Sequence, residues 1–324
     1  MEKEFIGKGV YNSLPIYIDV IIPTFNQSEF ITDAVVSIIN QSYSFINIYV
    51  VDDSTNEDTG EICKTMNYAN LTYIKNKKRL GRVKNYQNCL YNISTSTFLM
   101  ILDGDDYLTD NNYIEYAVNK FIEFPDLALV FGRINQKNEY NIQGFNNDLT
   151  LDKFSSGIIS GNDYLFKHYN RSIPLVHLSI VFNTKKAKEI NFYNFNSIGC
   201  ELESFFRLVL NNKIFFFNKT IGTWRIHQKN QSLTKNINEI ITDSKYIISV
   251  KRYMLISKID LKLATIWYNR MILYHIENYV YLLSCNKPLM YGLIFRYLIN
   301  YPLLTFNFIF KILESRLPFN FSTK

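Results

Sequence analysis

Several groups that commonly announce a function are scarce in these 324 residues. Four cysteines, Cys63, Cys89, Cys200 and Cys285, lie far apart with no C-x-x-C pair, so neither a zinc site nor a disulfide framework is expected. That usage fits a reducing compartment. The 12 glycines form neither a G-x-x-x-x-G-K-[ST] loop nor a G-x-G-x-x-G turn, which excludes phosphate binding of the P-loop or dinucleotide type. A diphosphate bound here would need a metal ion together with Lys or Arg. The start, Met1-Glu2-Lys3-Glu4-Phe5, lacks the charged-then-apolar pattern of a secretion signal, so a protein that is not exported is expected. No uninterrupted apolar span occurs either. The most apolar stretch, residues 289–310, is broken by Arg296, Asn300, Pro302 and Asn307. Charge of one sign is also modest, 35 basic against 29 acidic residues, which argues against a dedicated nucleic-acid binder.

What is present is a 47% hydrophobic, 16% aromatic chain able to bury the core of one large domain or two smaller ones. The net charge of +6 is unevenly placed: residues 1–227 hold 22 Lys/Arg and 24 Asp/Glu, residues 228–324 hold 13 and 5. Within residues 16–132, apolar runs at 17–22, 46–51, 71–74, 98–102 and 127–131 alternate with helical patterns at 29–40, 58–66 and 82–91. Strands spaced by helices predict an α/β fold with a mainly parallel sheet, whose ligands bind beyond the carboxyl ends of the strands.

Two of those ends are acidic. Asp52-Asp53 closes the second run and Asp103-Gly104-Asp105-Asp106 closes the fourth. Asp52 or Asp53 alone reads equally as a cap or turn residue. Three carboxylates within four residues repel one another unless a cation or a hydrogen-bond network offsets them, and hard divalent ions take such oxygen ligands. Gly104 is expected to let the backbone turn so that the acids face one pocket. Residues 132–200 carry little pattern. A helix is then expected from about residue 199, with Glu201 and Glu203 in its dipole-favoured first turn, followed by strands at 214–217 and 220–226.

Five ordered motifs over residues 16–233 resemble the family 2 glycosyltransferases, inverting enzymes of the GT-A fold. They are Val20-Ile21-Ile22-Pro23-Thr24-Phe25-Asn26; Val50-Val51-Asp52-Asp53-Ser54-Thr55; Gly81-Arg82-Val83-Lys84-Asn85; Leu102-Asp103-Gly104-Asp105-Asp106; and Trp224-Arg225-Ile226-His227 with Ser232. The resemblance implies a nucleotide-sugar donor, most often a UDP-sugar, and a Mn²⁺ or Mg²⁺ ion. It implies that Pro23, Thr24 and Asn26 line the base and ribose pocket and that Asp52 accepts from the base, as a carboxylate can from a uracil imide N–H. Asp103 is placed on the ribose, Asp105 on the metal, and Asp106 facing the sugar or metal shell. Arg225 and His227 would help offset the diphosphate, with His227 joining Asp105 at the metal, and Lys84 would contact the donor unless it is simply an exposed helical lysine. The family's catalytic base is usually Asp; aligning on Arg207-Leu208 puts Glu201 there, with Glu203 as competitor. His177 reads as a buried, hydrogen-bonded residue.

These readings define a GT-A-type catalytic domain at 1–233, with a nucleotide-sugar half at 16–132 and an acceptor half at 133–233, followed by a basic, aromatic-rich helical extension at 234–324. The tail fits either a peripheral element on an anionic membrane surface or a helical cap or dimer partner. The expected acceptor is a lipid-linked sugar or oligosaccharide at the cytoplasmic face of a bacterial membrane. The alternatives are a nucleotidyltransferase that makes a nucleotide sugar, for which a glycine-rich basic loop after the first strand is missing, and a non-catalytic nucleotide-sugar-binding protein.

Overall fold

A computed structural model describes residues 10–11, 14–138, 155–168, 175–228, 230, 236–283 and 287–316. The chain divides into two units, Met1–Gln228 and Lys229–Lys324. In the first, a short antiparallel pair, β1 (Val10–Tyr11) and β2 (Leu14–Pro15), precedes the main sheet. The strands β3 (Ile18–Thr24), β4 (Ile46–Asp52), β5 (Leu71–Lys75) and β6 (Phe98–Ile101) are mutually parallel in the order β5-β4-β3-β6. Every residue of β3 and β6 is buried, as expected where both faces of a sheet are covered. The connecting helices are α1 (Ile31–Ile39), α2 (Asp58–Thr65) and α3 (Arg82–Asn88), and α3 runs into one π-helical turn over Cys89–Ile93. On α1, Ile31, Ala34, Val35 and Ile38 form the apolar face and are buried in the core.

At the amino ends of the strands, Asp19 is fully buried and accepts from Asn47 Nδ2 (2.9 Å), Ser94 Oγ (3.1 Å), Thr95 N (2.8 Å), Ser96 N (2.9 Å) and Ser96 Oγ (2.7 Å). This acid ties the β6 entry to β3 and β4.

Beyond β6 the chain makes β7 (Tyr107–Leu108), α4 (Tyr113–Glu123), β8 (Leu127–Asn138), β9 (Gly157–Ser160), the short α5 (Gly161–Asp163), β10 (Ile180–Asn183), α6 (Thr184–Glu189), α7 (Cys200–Val209) and β11 (Lys213–Ile226). The fifth expected strand, β8, is not the neighbour of β6: β10 lies between them, antiparallel to both. Where two strands are expected at 214–226, β11 is a single 14-residue strand parallel to β8. Its register shifts between Phe217 and Gly222 absorb the polar Asn218-Lys219 pair that reads as a turn.

The second unit is helical: α8 (Ile237–Asp243), α9 (Lys245–Ile256), α10 (Leu261–Leu282), α11 (Lys287–Asn300) and α12 (Pro302–Arg316). Its interior includes Tyr246, Val250, Trp267, Ile272, Leu293 and Tyr297. Helices α8 and α9, and α11 and α12, follow one another with hardly a gap. The first pair breaks at Ser244, and the second at Tyr301, ahead of Pro302, which has no N–H to continue a ladder and suits a first helical position. Among the described residues no helix is long and apolar enough to cross a membrane.

Candidate active site

The site is built around the turn that follows β6. Leu102 N–H donates to Ile21 O (3.0 Å) and Gly104 N–H to Pro23 O (3.2 Å), so the turn is stitched to the end of β3. A Cβ on Gly104 would lie 3.0 Å from Thr24 Cβ and Oγ1. Among the described residues the one glycine with positive φ is Gly81. The glycine at 104 therefore answers to close approach, not to an unusual backbone turn.

The turn leads straight into β7, and β7 pairs antiparallel with β11 through Tyr107↔Thr223 and Leu108↔Gly222. That pairing carries the end of β11 to the acids. His227 Nε2 lies 2.9 Å from Asp105 Oδ2, and the imidazole packs on Phe30 at 4.7 Å between ring centres. Arg225 donates its backbone N–H to Asp106 Oδ1 (3.0 Å). The Arg225 guanidinium bonds Asp33 (2.7 Å) and lies over the rings of Phe30 and Tyr107. Burial, followed by the fields of Asp105 and Asp103, holds the Asp106 carboxyl well above the usual carboxylate range. The acidic cluster is thus only partly offset by the protein. A carboxylate facing an imidazole is a donor set that Mn²⁺ or Mg²⁺ with added water accepts, so Asp105 and His227 fit a divalent ion.

A second constellation surrounds Asp103. Tyr86 on α3 donates its hydroxyl to Asp103 Oδ1 (2.7 Å). His177, in the single 3-10 turn before β10, sets Nδ1 2.9 Å from Glu201 and 3.5 Å from Asp103, off the line of the ring N–H. Its Nε2 lies 2.9 Å from the Tyr193 hydroxyl. Arg82, one turn before Tyr86, reaches Glu201 (3.6 Å) and donates to Ile198 O (2.7 Å). Burial disfavours charge on His177, but the Glu201 and Asp103 carboxylates outweigh it and lift its pKa to about 9. Burial also works against charge on Glu201 and Asp103. His177, with Arg82, prevails and lowers both, so all three groups are ionised at neutral pH. One ligand atom from each of Asp103, His177 and Glu201 falls within 4.8 Å of the others. The trio forms an ion-paired network, and a metal ion held there would displace the imidazole proton.

The two glutamates of α7 separate cleanly. Glu201 keeps 21% of its side chain exposed and faces Asp103, whereas Glu203 is buried and pairs with Arg207 (2.9 Å) one turn on. Arg207 in turn donates to the carbonyls of Ile190 and Asn191. Glu203 is a packing ion pair.

On the other side of the turn, Pro23 and Thr24 are buried at the end of β3, and the Thr24 hydroxyl has no hydrogen-bond partner among the described residues. Asn26 is exposed with φ 55° and donates its N–H to Ser54 Oγ (2.7 Å). Asp52 is fully buried and accepts from Ser54 N–H (2.8 Å), Tyr73 OH (2.8 Å) and Lys75 Nζ (3.1 Å), which leaves one of its roughly four acceptor positions. Asp53 anchors the entry to α3 by accepting from Leu80 N–H (2.7 Å) and Gly81 N–H (2.8 Å). Lys84 is exposed and lines a groove of about 720 Å³ with Gln87, Tyr91 and Asn191, and that groove contains none of the acids. Ser232 lies outside the described residues.

The sequence assigns no role to Tyr86 or Arg82, and His177 is buried and hydrogen-bonded as it reads, but its tie to Asp103 and Glu201 is not visible there. Arg82 belongs to a quoted motif, and Tyr86 follows it by one helical turn. His177 carries no local signal, because its partners are 74 and 24 residues away.

The model of the family described as glycosyl transferase family 2 matches residues 19–181. The chain belongs to that family. It is 22% identical to the glycosyltransferase GlyG of Streptococcus pneumoniae over 64% of this chain and 70% of that one. It is 24% identical to the GalNAc(5)-diNAcBac-PP-undecaprenol β-1,3-glucosyltransferase of Campylobacter jejuni over 65% of each chain. The fold resembles that of S. aureus TarS residues 1–349 in complex with UDP-GlcNAc, with a TM-score of 0.65 and 16% identity over 81% of this chain and 73% of that one. Family and fold agree: the first unit is a GT-A glycosyltransferase scaffold.

Proposed function

We propose that the protein is a metal-dependent, inverting glycosyltransferase that moves a sugar from a UDP-sugar to a hydroxyl of a lipid-linked or oligosaccharide acceptor in bacterial surface-polysaccharide synthesis. One observation carries the reading. A single acidic turn at the carboxyl ends of the parallel strands has the Asp105–His227 pair on one flank and the partly exposed Glu201 carboxylate, tied to Asp103 through His177, on the other. The donor class is supported by the UDP-GlcNAc complex of TarS, and the acceptor class by the undecaprenol-linked substrate in the name of the Campylobacter relative.

In this reading Pro23, Thr24, Asn26 and the free acceptor position of Asp52 hold the nucleoside, with the unpartnered Thr24 hydroxyl available to it. Asp103 contacts the ribose, and Asp105 and His227 hold Mn²⁺ or Mg²⁺. A divalent ion bound there offsets the charge that grows on the departing diphosphate. Glu201 accepts the proton of the acceptor hydroxyl. That oxygen forms a bond to the anomeric carbon as the bond to the diphosphate oxygen breaks, its electron pair leaving with UDP, and the anomeric configuration inverts. His177 and Arg82 orient Glu201 and keep it ionised. The Asp33 ion pair fixes Arg225, and its backbone N–H holds Asp106 in place.

The test is a donor screen by thermal shift with Mn²⁺ present, comparing UDP-, GDP- and dTDP-sugars. Stabilisation by a UDP-sugar that Asp105→Ala removes is the expected result. A shift with none of the donors, or one that Asp105→Ala leaves intact, overturns the assignment.

A further inference from the structure

Helices α11 and α12 each present an apolar face that the second unit does not bury. On α11 the inward residues are Leu293 and Tyr297, whereas Tyr291, Phe295 and Ile299 point the opposite way and are 61–63% exposed. On α12, Thr305 and Phe308 are buried, whereas Leu303, Phe306 and Phe310 are 63–80% exposed. Spacings of i, i+4, i+8 on one helix and i, i+3, i+7 on the other gather each set into a stripe. Six large apolar side chains this exposed, in 20 residues of sequence, exceed the scattered surface hydrophobics of an ordinary protein and mark an interaction surface.

Charge identifies the partner. Residues 287–316 contain Lys287, Arg296, Lys311 and Arg316 but one acid, Glu314, within a segment 228–324 that holds 13 basic and 5 acidic residues. Lys287 and Arg296 are exposed on the helix that carries Tyr291, Phe295 and Ile299. A second copy docked on this face would bring like charges together, while an anionic surface complements them. Helices of 14 and 15 residues are about 21–23 Å long, shorter than the roughly 30 Å hydrocarbon core, so they suit lying along a bilayer and not crossing it.

We infer that α11 and α12 form an interfacial platform that seats the protein on an anionic lipid bilayer, with Tyr291, Phe295, Ile299, Leu303, Phe306 and Phe310 entering the headgroup–acyl boundary and Lys287 and Arg296 on the headgroups. The inference is independent of the transfer chemistry. Flotation of the full chain with vesicles of 30% phosphatidylglycerol in phosphatidylcholine tests it. Expected are binding to these vesicles, at least tenfold weaker binding to pure phosphatidylcholine, and a loss of at least tenfold in the four-site variant Phe295→Ser, Ile299→Ser, Leu303→Ser, Phe306→Ser. A surface double variant, Lys287→Glu with Arg296→Glu, leaves the apolar stripes intact and should weaken binding to the anionic vesicles at least fivefold, which covers the case of a four-site variant that fails to fold. Failure of the wild-type chain to float, or unchanged partitioning of both variants, overturns the inference. So does a dimer in sedimentation that the four-site variant dissociates while vesicle binding stays absent, because the face would then be a protein interface.

Discussion

Replacing each α7 glutamate by glutamine separates the catalytic from the packing role, since the two residues are two positions apart on one helix and meet opposite environments. Glu203 and Arg207 are both nearly inaccessible and 2.9 Å apart. Glu203→Gln keeps the shape but leaves a buried guanidinium without its counter-charge. Breaking such a pair costs about 3–5 kcal/mol, and we take the lower end because the glutamine oxygen and the carbonyls of Ile190 and Asn191 still accept. For a unit of this size about 3 kcal/mol corresponds to a fall of about 6–12 °C in Tm. Glu201→Gln, on a part-exposed side chain, should lower Tm far less but remove the proton acceptor, and general-base loss is worth about 10²–10⁴ in rate. Thermal unfolding and UDP release with acceptor, measured on both variants at one temperature below both transitions, give the two numbers. A Glu203→Gln protein that is stable but inactive beside an active Glu201→Gln protein would refute the assignment of both residues.

Three further outcomes follow from the same structure. His177 has a folded pKa of about 9 against an ordinary 6.5, so its stabilisation is complete below about pH 6.5 and is lost as pH rises through 9. The full span is at most about 3 kcal/mol, and urea unfolding across pH 6–10 should show a decline that His177→Gln flattens. Asp19→Ala strands five buried or part-buried donors at the amino end of β3 and should lower the urea stability by about 3–5 kcal/mol, with donor affinity of the folded fraction unchanged because the site lies at the other end of the strands. Gly104→Ala sets a Cβ 3.0 Å from Thr24 and Gln27, and should cost about 1–3 kcal/mol and weaken UDP binding, read by thermal unfolding and calorimetry.

The parallel half of the sheet was legible because it obeys local rules. β3, β4 and β6 are apolar runs that end in the residues of the site, and α1 has a clean helical face. Elements set by tertiary pairing were not. β10 is four residues in a stretch with little pattern, and it exists as a strand because β6 and β8 bond both of its edges. The start of α4 is hidden behind a two-residue strand and the polar run Thr109-Asp110-Asn111-Asn112, although Tyr113, Ile114, Ala117, Val118 and Phe121 form a regular buried stripe. In the site, Asp103, Asp105 and His227 are legible because they sit on recognisable motifs. Alignment on Arg207-Leu208 favours Glu201 as the base with Glu203 as its competitor, and since both occupy the same helical turn it is Arg207 and His177, folded against different faces, that give them different surroundings. His177 itself is a lone histidine among Pro174, Leu175, Val176 and Leu178, a setting in which a core residue and a positioning residue look alike.

The central claim, that this chain transfers sugar from a metal-held nucleotide diphosphate, is tested most directly by UDP release from UDP-sugars by the full chain, with Mn²⁺, with EDTA, and with Asp105→Ala in Mn²⁺. Release is expected with Mn²⁺, and none above background in the other two conditions. Equal release in EDTA, or full activity in Asp105→Ala, would contradict it.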